Sequence, residues 1–257
     1  MNDPTDISLA EYRAGNFHRA IQFAQYALAR DEEDAQAWRC LGRALTKTCQ
    51  WAGAMDAFEN ASLLQPLDNQ DRISLAIAYG AMSHRSLSRD LLMSIANSEV
   101  VEVSELLQVA NGLEAIDEPR LAMEACRQAG KRAPDLPEVH YQMGHYAQQC
   151  GHPVSVCEAL LCHAIDLEPC NIHYRIGLAS LLMRLARKRE AITVIKPLLP
   201  AKLDEVTCLC CLKRIANLFF DNDDLHLASL CAQRITRLNA SSLNEARSLH
   251  TPSATPS

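Results

Sequence analysis

Residues 35–68, AQAWRCLGRALTKTCQWAGAMDAFENASLLQPLD, decide the fold. Their apolar side chains recur at helical spacing in two runs, one around Trp38 and one around Phe58, and this predicts two amphipathic helices. Gly42 lies where the two helices would cross, and only a small residue lets two backbones approach closely there. Pro66 follows the second run, at a position where a proline ends a helix. The stretch is therefore predicted to form a helical hairpin.

The same pattern returns at steps of 34 residues along the chain. Residues at corresponding positions are mostly apolar or small. They are Ile7, Leu41, Leu75 and Val109; Ser8, Gly42, Ala76 and Ala110; Gly15, Cys49, Ser83 and Asp117; Ala20, Ala54, Ser88 and Ala122; and Ala27, Ala61, Ile95 and Ala129. Pro66 and Pro134 keep the interval, since they lie two steps apart. A repeat of this length predicts a stack of helical hairpins.

The repeat resembles that of the tetratricopeptide repeat (TPR) family, whose unit carries a Trp, a Leu-Gly pair, spaced alanines, an aromatic residue and a closing proline. One unit holds all of these, as Trp38, Leu41, Gly42, Trp51, Ala54, Phe58, Ala61 and Pro66. The resemblance covers residues 3 to about 240. It implies an all-α, right-handed superhelical solenoid of about seven hairpins. Its concave surface, lined by the first helix of each unit, would hold a peptide or protein segment.

The period of 34 residues gives the approximate bounds of the units. They are predicted at approximately 1–34, 35–68, 69–102, 103–136, 137–171, 172–208 and 209–242, in one domain of residues 1–242. The third unit departs most from the pattern, because Arg85 and Ser88 replace an aromatic residue and an alanine. The fifth has one extra residue between Gly151 and Ala164, and the loop before the last unit is about three residues longer. The tail, 243–257, ends in Ser, Thr and Pro and is predicted to be partly disordered.

Composition limits the partners. The chain has 257 residues, of which 48% are hydrophobic and only 5% aromatic, and its net charge is −6. Phosphate binding needs a local excess of Lys and Arg, so nucleic acid is not predicted as a partner. No apolar run approaches the length that spans a bilayer, and the N-terminus lacks the features of a secretory signal. The protein is therefore predicted to be cytoplasmic, with no membrane partner.

A basic stripe is the first candidate binding surface. Arg39, Arg43 and Lys47 follow one another at intervals of four residues and so share one face of a helix. Guanidinium groups bind carboxylates through paired hydrogen bonds, which favours an acidic partner segment. The alternative, which the sequence leaves open, is an ordinary solvated face.

Further along, the first helices carry polar residues that suit an extended peptide. Amide side chains both donate and accept hydrogen bonds, and tyrosine offers rigid contact area. The predicted partner-binding residues here are Asn111, Tyr141, His145, Arg184, Arg214 and Asn217. An ordinary polar surface is the alternative interpretation.

Eleven cysteines are an odd number in a chain without an export signal, so reduced thiols are predicted rather than a disulfide framework. Two groups could be metal ligands: Cys150, His152, Cys157, Cys162 and His163, and the group Cys208, Cys210 and Cys211. Neither has the paired spacing of a zinc site. Cys126, Cys157 and Cys231 are interpreted as small core residues. No metal site and no cofactor are predicted, and a zinc-binding or thiol-sensing protein is the alternative.

No catalytic residues are predicted. The chain contains no Gly-rich phosphate loop, HExxH or GxSxG motif, and Cys162 and His163 are adjacent, so on a helix they point in different directions. The predicted function is a non-enzymatic scaffold or adaptor that binds a partner segment in its groove. A dedicated chaperone for a secreted protein is a further alternative.

Overall fold

The computed structural model describes residues 3–248, with side chains for residues 3–240. In this part of the chain the secondary structure is helical, without a strand. The α-helices are α1 (Pro4–Arg13), α2 (Phe17–Leu28), α3 (Ala35–Lys47), α4 (Trp51–Leu64), α5 (Asn69–Ala81), α6 (Arg85–Ala96), α7 (Val103–Ala115), α8 (Pro119–Arg132), α9 (Pro137–Gln149), α10 (Val154–Leu167), α11 (Ile172–Arg184), α12 (Lys188–Ile195), α13 (Leu209–Phe220) and α14 (Leu225–Ser248). Consecutive helices pair as hairpins, so the predicted all-α fold is confirmed.

The chain divides into two compact parts, Met1–Asp135 and Leu136–Ser257, each of which contains several repeats. They are called the first unit and the second unit from here on. In the first unit, four hairpins run from α1/α2 to α7/α8, and the second helix of each packs on the first helix of the next. The second unit contains the hairpins α9/α10, α11/α12 and α13/α14, with the same order of packing. A single domain over residues 1–242 stays a prediction.

The helix pairs lie within the predicted repeats, with one difference at the end. Helix α14 continues beyond residue 242 to Ser248, so the start of the predicted tail is helical. Residues 249–257 of that tail lie outside the described residues. The longer connection before α13 contains two short 3₁₀ turns, Lys196–Leu198 and Leu203–Glu205.

Within a hairpin the two helices pack at close range, as the small residues predict. A Cβ atom on Gly42 would lie 2.9 Å from the ring of Phe58, which is fully buried. In the facing helix Ala54 has 0% of its surface exposed, and Ala20 and Ala122 hold the same position in other hairpins, also at 0%. Small residues at the crossing therefore allow the helices to approach closely, with a large aromatic ring packed beside them.

The first helix of every hairpin ends in the same turn. One residue takes a left-handed conformation there, and its amide and the next amide close the last helical turn in a Schellman motif. In the second hairpin, the Cys49 amide donates to the Thr46 carbonyl at 3.1 Å and the Gln50 amide to that of Leu45 at 2.9 Å. The left-handed residues are Gly15 (φ 79°), Cys49 (57°), Ser83 (67°), Asp117 (65°), Gly151 (74°), Ala186 (59°) and Asp223 (58°).

The spacing of these turns locates the irregularities of the repeat. The first five left-handed residues are 34 positions apart, whereas Ala186 follows Gly151 by 35. The extra residue lies just after Gly151, because α10 begins three residues after it, whereas α4 begins two residues after Cys49. The hairpin turn therefore absorbs the insertion.

Ala186→Gly is expected to stabilise the protein, because Ala186 has a Cβ atom in a left-handed conformation and no polar side chain to compensate. The expected gain in the free energy of unfolding is about 1 kcal/mol. Urea unfolding followed by far-UV circular dichroism measures it. Gly151→Ala, at the equivalent turn of the preceding hairpin, is the control and should lower the free energy of unfolding by a similar amount. Changes of the same sign in both variants would contradict the explanation.

The third hairpin contains a buried hydroxyl without a partner. Ser88 takes the place of the small alanine, is 0% exposed, and its Oγ forms no hydrogen bond. Ser8, also 0% exposed, differs because its Oγ donates to the carbonyl of Ala20 at 2.8 Å. An unpaired buried polar atom destabilises a protein.

Ser88→Ala is therefore expected to raise the free energy of unfolding by about 1 kcal/mol, whereas Ser8→Ala should lower it by about 1 kcal/mol. Trp38 and Trp51 are the two tryptophans of the chain, and both lie in the first unit. Tryptophan fluorescence during urea unfolding thus follows the unit that contains both serines. Equal losses in the two variants would show that the Ser88 hydroxyl is satisfied in solution.

Candidate functional site

The predicted basic stripe is part of an ionic cluster. Asp71, in the first turn of α5, is 0% exposed and accepts hydrogen bonds from the Nε atoms of Arg39 and Arg43, each at 2.5 Å. A further nitrogen of Arg43 lies 2.9 Å from Asp71, and Asp68 pairs with both arginines. We call Arg39, Arg43, Asp68 and Asp71 the Asp71 cluster. It connects α3 to α5, the first helices of two successive hairpins.

The cluster is held in place by the start of α5. Asp68 is the N-cap residue, and its Oδ1 accepts the backbone amide of Asp71 at 2.9 Å. Burial lowers the pKa of Arg43, but hydrogen bonding with Asp71 and the charge of that carboxylate outweigh it, so the pKa is raised overall. Arg43 therefore stays protonated despite being half-buried.

This arrangement shows how the arginines of the predicted stripe are paired within the chain, and their role in binding a partner stays a prediction. Two carboxylates of the same chain, those of Asp68 and Asp71, already bind Arg39 and Arg43. Lys47, one turn further along α3, is exposed and forms no ion pair with the described residues. An acidic partner stays a prediction, and Lys47 is the member of the stripe whose charge is available for it.

A groove in the first unit contains Lys47. Its volume is about 360 Å³, and the residues that line it all come from first helices, one helix from each of the four hairpins. They are Tyr12, Arg43, Thr46, Lys47, Gln70, Ser74, Ile77 and Gln108. Gln70 donates to the side-chain oxygen of Gln108 at 2.9 Å. Asn111, on α7, is exposed but does not line this groove.

The second unit has a groove of its own, which brings three predicted residues together. Arg184, on α11, lies beside Arg214 and Asn217, on α13, in a cavity of about 350 Å³. The other lining residues are Ser180, Met183, Lys188, Leu218 and Asp221. Arg184 donates to Gln148, and Lys188 pairs with Asp221 at 2.7 Å. Arg214 and Asn217 are exposed.

The two remaining predicted residues, on α9, are outside that cavity. Tyr141 is half-buried, with its ring 5.0 Å from that of Tyr174 and packed over Gly177, where a Cβ atom would overlap it. His145 is exposed and interacts with Gln149 at 2.9 Å. Tyr141 therefore packs between helices α9 and α11, and its contact with a partner protein stays a prediction.

Three cysteines form a cluster although their spacing in the sequence is not that of a zinc site. The Sγ atoms of Cys208, Cys210 and Cys211 lie within 4.8 Å of one another, at the start of α13. Cys208 and Cys210 are exposed, whereas Cys126, Cys157 and Cys231 are buried. The interpretation as small core residues therefore applies to the latter three and not to Cys208 and Cys210. Among the described residues, the other predicted group, around Cys150 and His163, does not form such a cluster. The N-cap and the first turn of α13 bring these three positions together, which their sequence spacing alone does not indicate.

Neighbouring groups shift the thiol pKa values in opposite directions. Hydrogen bonds from the Cys210 thiol and from the Cys211 backbone lower the pKa of Cys208 to about 7. Burial, followed by hydrogen bonding with Cys208, raises the pKa of Cys211 to about 12. Cys208 is therefore more readily ionised than Cys211.

Asp71→Asn is expected to lower the free energy of unfolding by about 3 kcal/mol, because it leaves two guanidinium groups without their buried carboxylate. Asp68→Asn is the control: Asn retains the N-cap, and the Asp68 side chain is 48% exposed, so the loss should stay below about 1 kcal/mol. Urea unfolding followed by tryptophan fluorescence compares the two. Equal effects would show that burial of Asp71 does not decide the energy of the cluster.

Within the described residues, no helix is both long and apolar enough to cross a membrane. No protein-family model matches the chain. A stretch of 64 residues is 39% identical to part of Superkiller protein 3 from Schizosaccharomyces pombe, but it represents 25% of this chain and 5% of that protein. The relative is thus far longer than the matched segment.

Solved structures match over much more of the chain. The C-terminal part of a TPR repeat-containing protein from Cytophaga hutchinsonii superposes with a TM-score of 0.63 at 12% identity, covering 92% of this chain and 95% of that one. YrrB, described as a TPR protein with an unusual peptide-binding site, gives 0.56 at 16% identity, over 72% and 90%. A chain of the APC/C hetero-tetramer Cut9-Hcn1 gives 0.60 at 13%, over 90% and 45%. The chain therefore has the fold of tetratricopeptide-repeat proteins.

Proposed function

We propose that this chain is a non-enzymatic protein-interaction scaffold that holds an extended partner segment against the first helices of its hairpins. The observation that carries the proposal is the groove of the first unit, which residues of α1, α3, α5 and α7 line together. A segment lying there would contact four successive repeats. Such a surface is available because each hairpin turns its second helix away from it.

The chemistry of this groove suits a peptide backbone. Gln70 and Gln108 carry both donors and acceptors, and Ser74 adds a hydroxyl between them. Tyr12 contributes an aromatic ring to the lining of the groove. Lys47 supplies an uncompensated positive charge, so an acidic residue of the partner is expected to bind there rather than at Arg39 or Arg43.

The Asp71 cluster supports the proposal in a different way. It fixes α3 against α5, two of the helices that line the groove, through several charged hydrogen bonds. A surface that is already ordered loses less conformational entropy when a partner binds. The arginines thus contribute to binding by keeping the groove rigid.

Neighbours with the same fold are described as interaction proteins. YrrB is described with a peptide-binding site, and Cut9 is part of a hetero-tetramer with Hcn1. The proposal extends this kind of activity to the present chain by analogy of fold. We place the protein in the cytoplasm, where its eleven free thiols would stay reduced, and propose a protein partner rather than nucleic acid or membrane.

Site-specific crosslinking tests the proposal. The full chain carries a photoreactive phenylalanine analogue at Ser74, in the groove, or at Ser62, an exposed position on the second helix α4. Each is irradiated in native lysate, and crosslinked proteins are identified by mass spectrometry. We expect a partner that crosslinks from position 74 and not from position 62. Equal crosslinking from both positions, or none from 74, would contradict the proposed surface.

The captured segment is then synthesised, and its affinity is measured for the wild type and two charge variants. Lys47→Glu is expected to weaken binding about tenfold, which corresponds to about 1.4 kcal/mol. Lys131→Glu, the same change at an exposed position on the second helix α8 of the same unit, should leave the affinity unchanged. Equal affinity for all three proteins would remove Lys47 from the binding surface.

A further inference from the structure

We propose that Cys208, Cys210 and Cys211 form a three-thiolate site for one thiophilic d¹⁰ metal ion of the Zn²⁺ class, with one coordination position left open. The site is independent of the groove function proposed above. It lies at the start of α13, and none of its cysteines lines the cavity that Arg214 and Asn217 share.

The distances fit a single ion. A Zn²⁺–thiolate bond is about 2.3 Å long, so sulfur atoms around one tetrahedral ion lie about 4 Å apart. The three Sγ atoms are within 4.8 Å of one another, and those of Cys208 and Cys210 are 2.8 Å apart. The three thiols are thus close enough to share one ion, and binding would require the Sγ atoms of Cys208 and Cys210 to move apart by about 1 Å.

The local backbone explains why the three thiols converge. Cys208 is the N-cap of α13, with extended backbone angles, whereas Cys210 and Cys211 lie in the first helical turn. The change from extended to helical conformation turns Cys208 back towards the other two. The site thus depends on one short segment rather than on distant packing.

The donor set selects the kind of ion. All three ligands are sulfur, and no histidine or carboxylate among the described residues joins the group. Thiolates favour soft or borderline ions such as Zn²⁺, whereas Mg²⁺ and Ca²⁺ require oxygen ligands. Three protein ligands leave a fourth position for water or for an external thiol.

Exposure distinguishes these thiols from the other cysteines. Cys126, Cys157 and Cys231 are buried and fill space between helices, whereas Cys208 and Cys210 are exposed and Cys211 is half-buried. An exposed thiol contributes little to packing, and an ion could reach the cluster without local unfolding. The structure thus provides access to the site together with its ligands.

Metal loading tests the site on the full chain. Reduced protein is incubated with Zn²⁺ or Cd²⁺, gel-filtered under anaerobic conditions, and analysed for metal per chain. We expect one ion per chain in the wild type and in Cys170→Ser, a control that removes an exposed cysteine of the same unit outside the cluster. Cys208→Ser and Cys210→Ser should each weaken affinity at least about tenfold in competition with a chromophoric chelator.

Two further readouts report on the ligands themselves. The Cd²⁺–thiolate charge-transfer band should decrease in each single variant, and bound Zn²⁺ should protect these three cysteines from alkylation as mapped by mass spectrometry. Far-UV circular dichroism checks that the variants keep their helix content. Absence of a retained ion in the wild type would overturn the proposal. So would equal metal retention by the triple variant Cys208→Ser, Cys210→Ser, Cys211→Ser.

Discussion

The close approach of two helices within each hairpin is the constraint on which the rest of the structure depends. Gly42 against Phe58 shows it most directly, because a single added carbon would contact the aromatic ring. The small residues that this packing requires give the sequence its period, and the same period spaces the left-handed turns. Once the second helix of each hairpin is packed behind the first, the first helices are left to line a common surface. The groove of the first unit is thus a consequence of backbone packing.

The Asp71 cluster shows how charge can serve structure on a surface that also suits binding. Burying a carboxylate is costly unless its hydrogen bonds are satisfied, and the guanidinium groups of Arg39 and Arg43 meet that requirement for Asp71. The cluster joins neighbouring hairpins at their first helices, α3 and α5, which are in less extensive contact than the two helices of a hairpin. Its charges are therefore largely neutralised inside the chain. A basic stripe in a repeat protein need not indicate an acidic ligand, since the next repeat can provide the acid.

Much of the fold could be predicted from the sequence because it depends on local spacing. The hairpins, their turns and the small residues at the crossings all follow from a period of 34 residues. The position of Arg184, Arg214 and Asn217 in one cavity also follows, since equivalent first-helix faces lie side by side. The pairing of Arg39 and Arg43 with Asp71 could not be predicted in this way. It is a contact between two successive repeats, whereas helical spacing describes the residues of one repeat only. The three cysteines at the start of α13 were recognisable as a group, but their spacing does not match the paired cysteines of zinc sites. Their approach depends on an N-cap, where the backbone changes from extended to helical.

The Asp71 cluster also determines which substitutions can identify a binding surface. Charge reversal at Arg39 or Arg43 would place a new carboxylate beside Asp68 and buried Asp71, and the resulting repulsion would disturb the contact between α3 and α5. Loss of a partner in such a variant would then report on the stability of the groove and not on its contacts. Lys47 lies on the same helix face, is exposed and has no carboxylate partner among the described residues, so its reversal changes the surface charge alone. On such a helix, some charged residues form ion pairs between repeats and others are available to a ligand. The ion-pair geometry distinguishes the two kinds of residue.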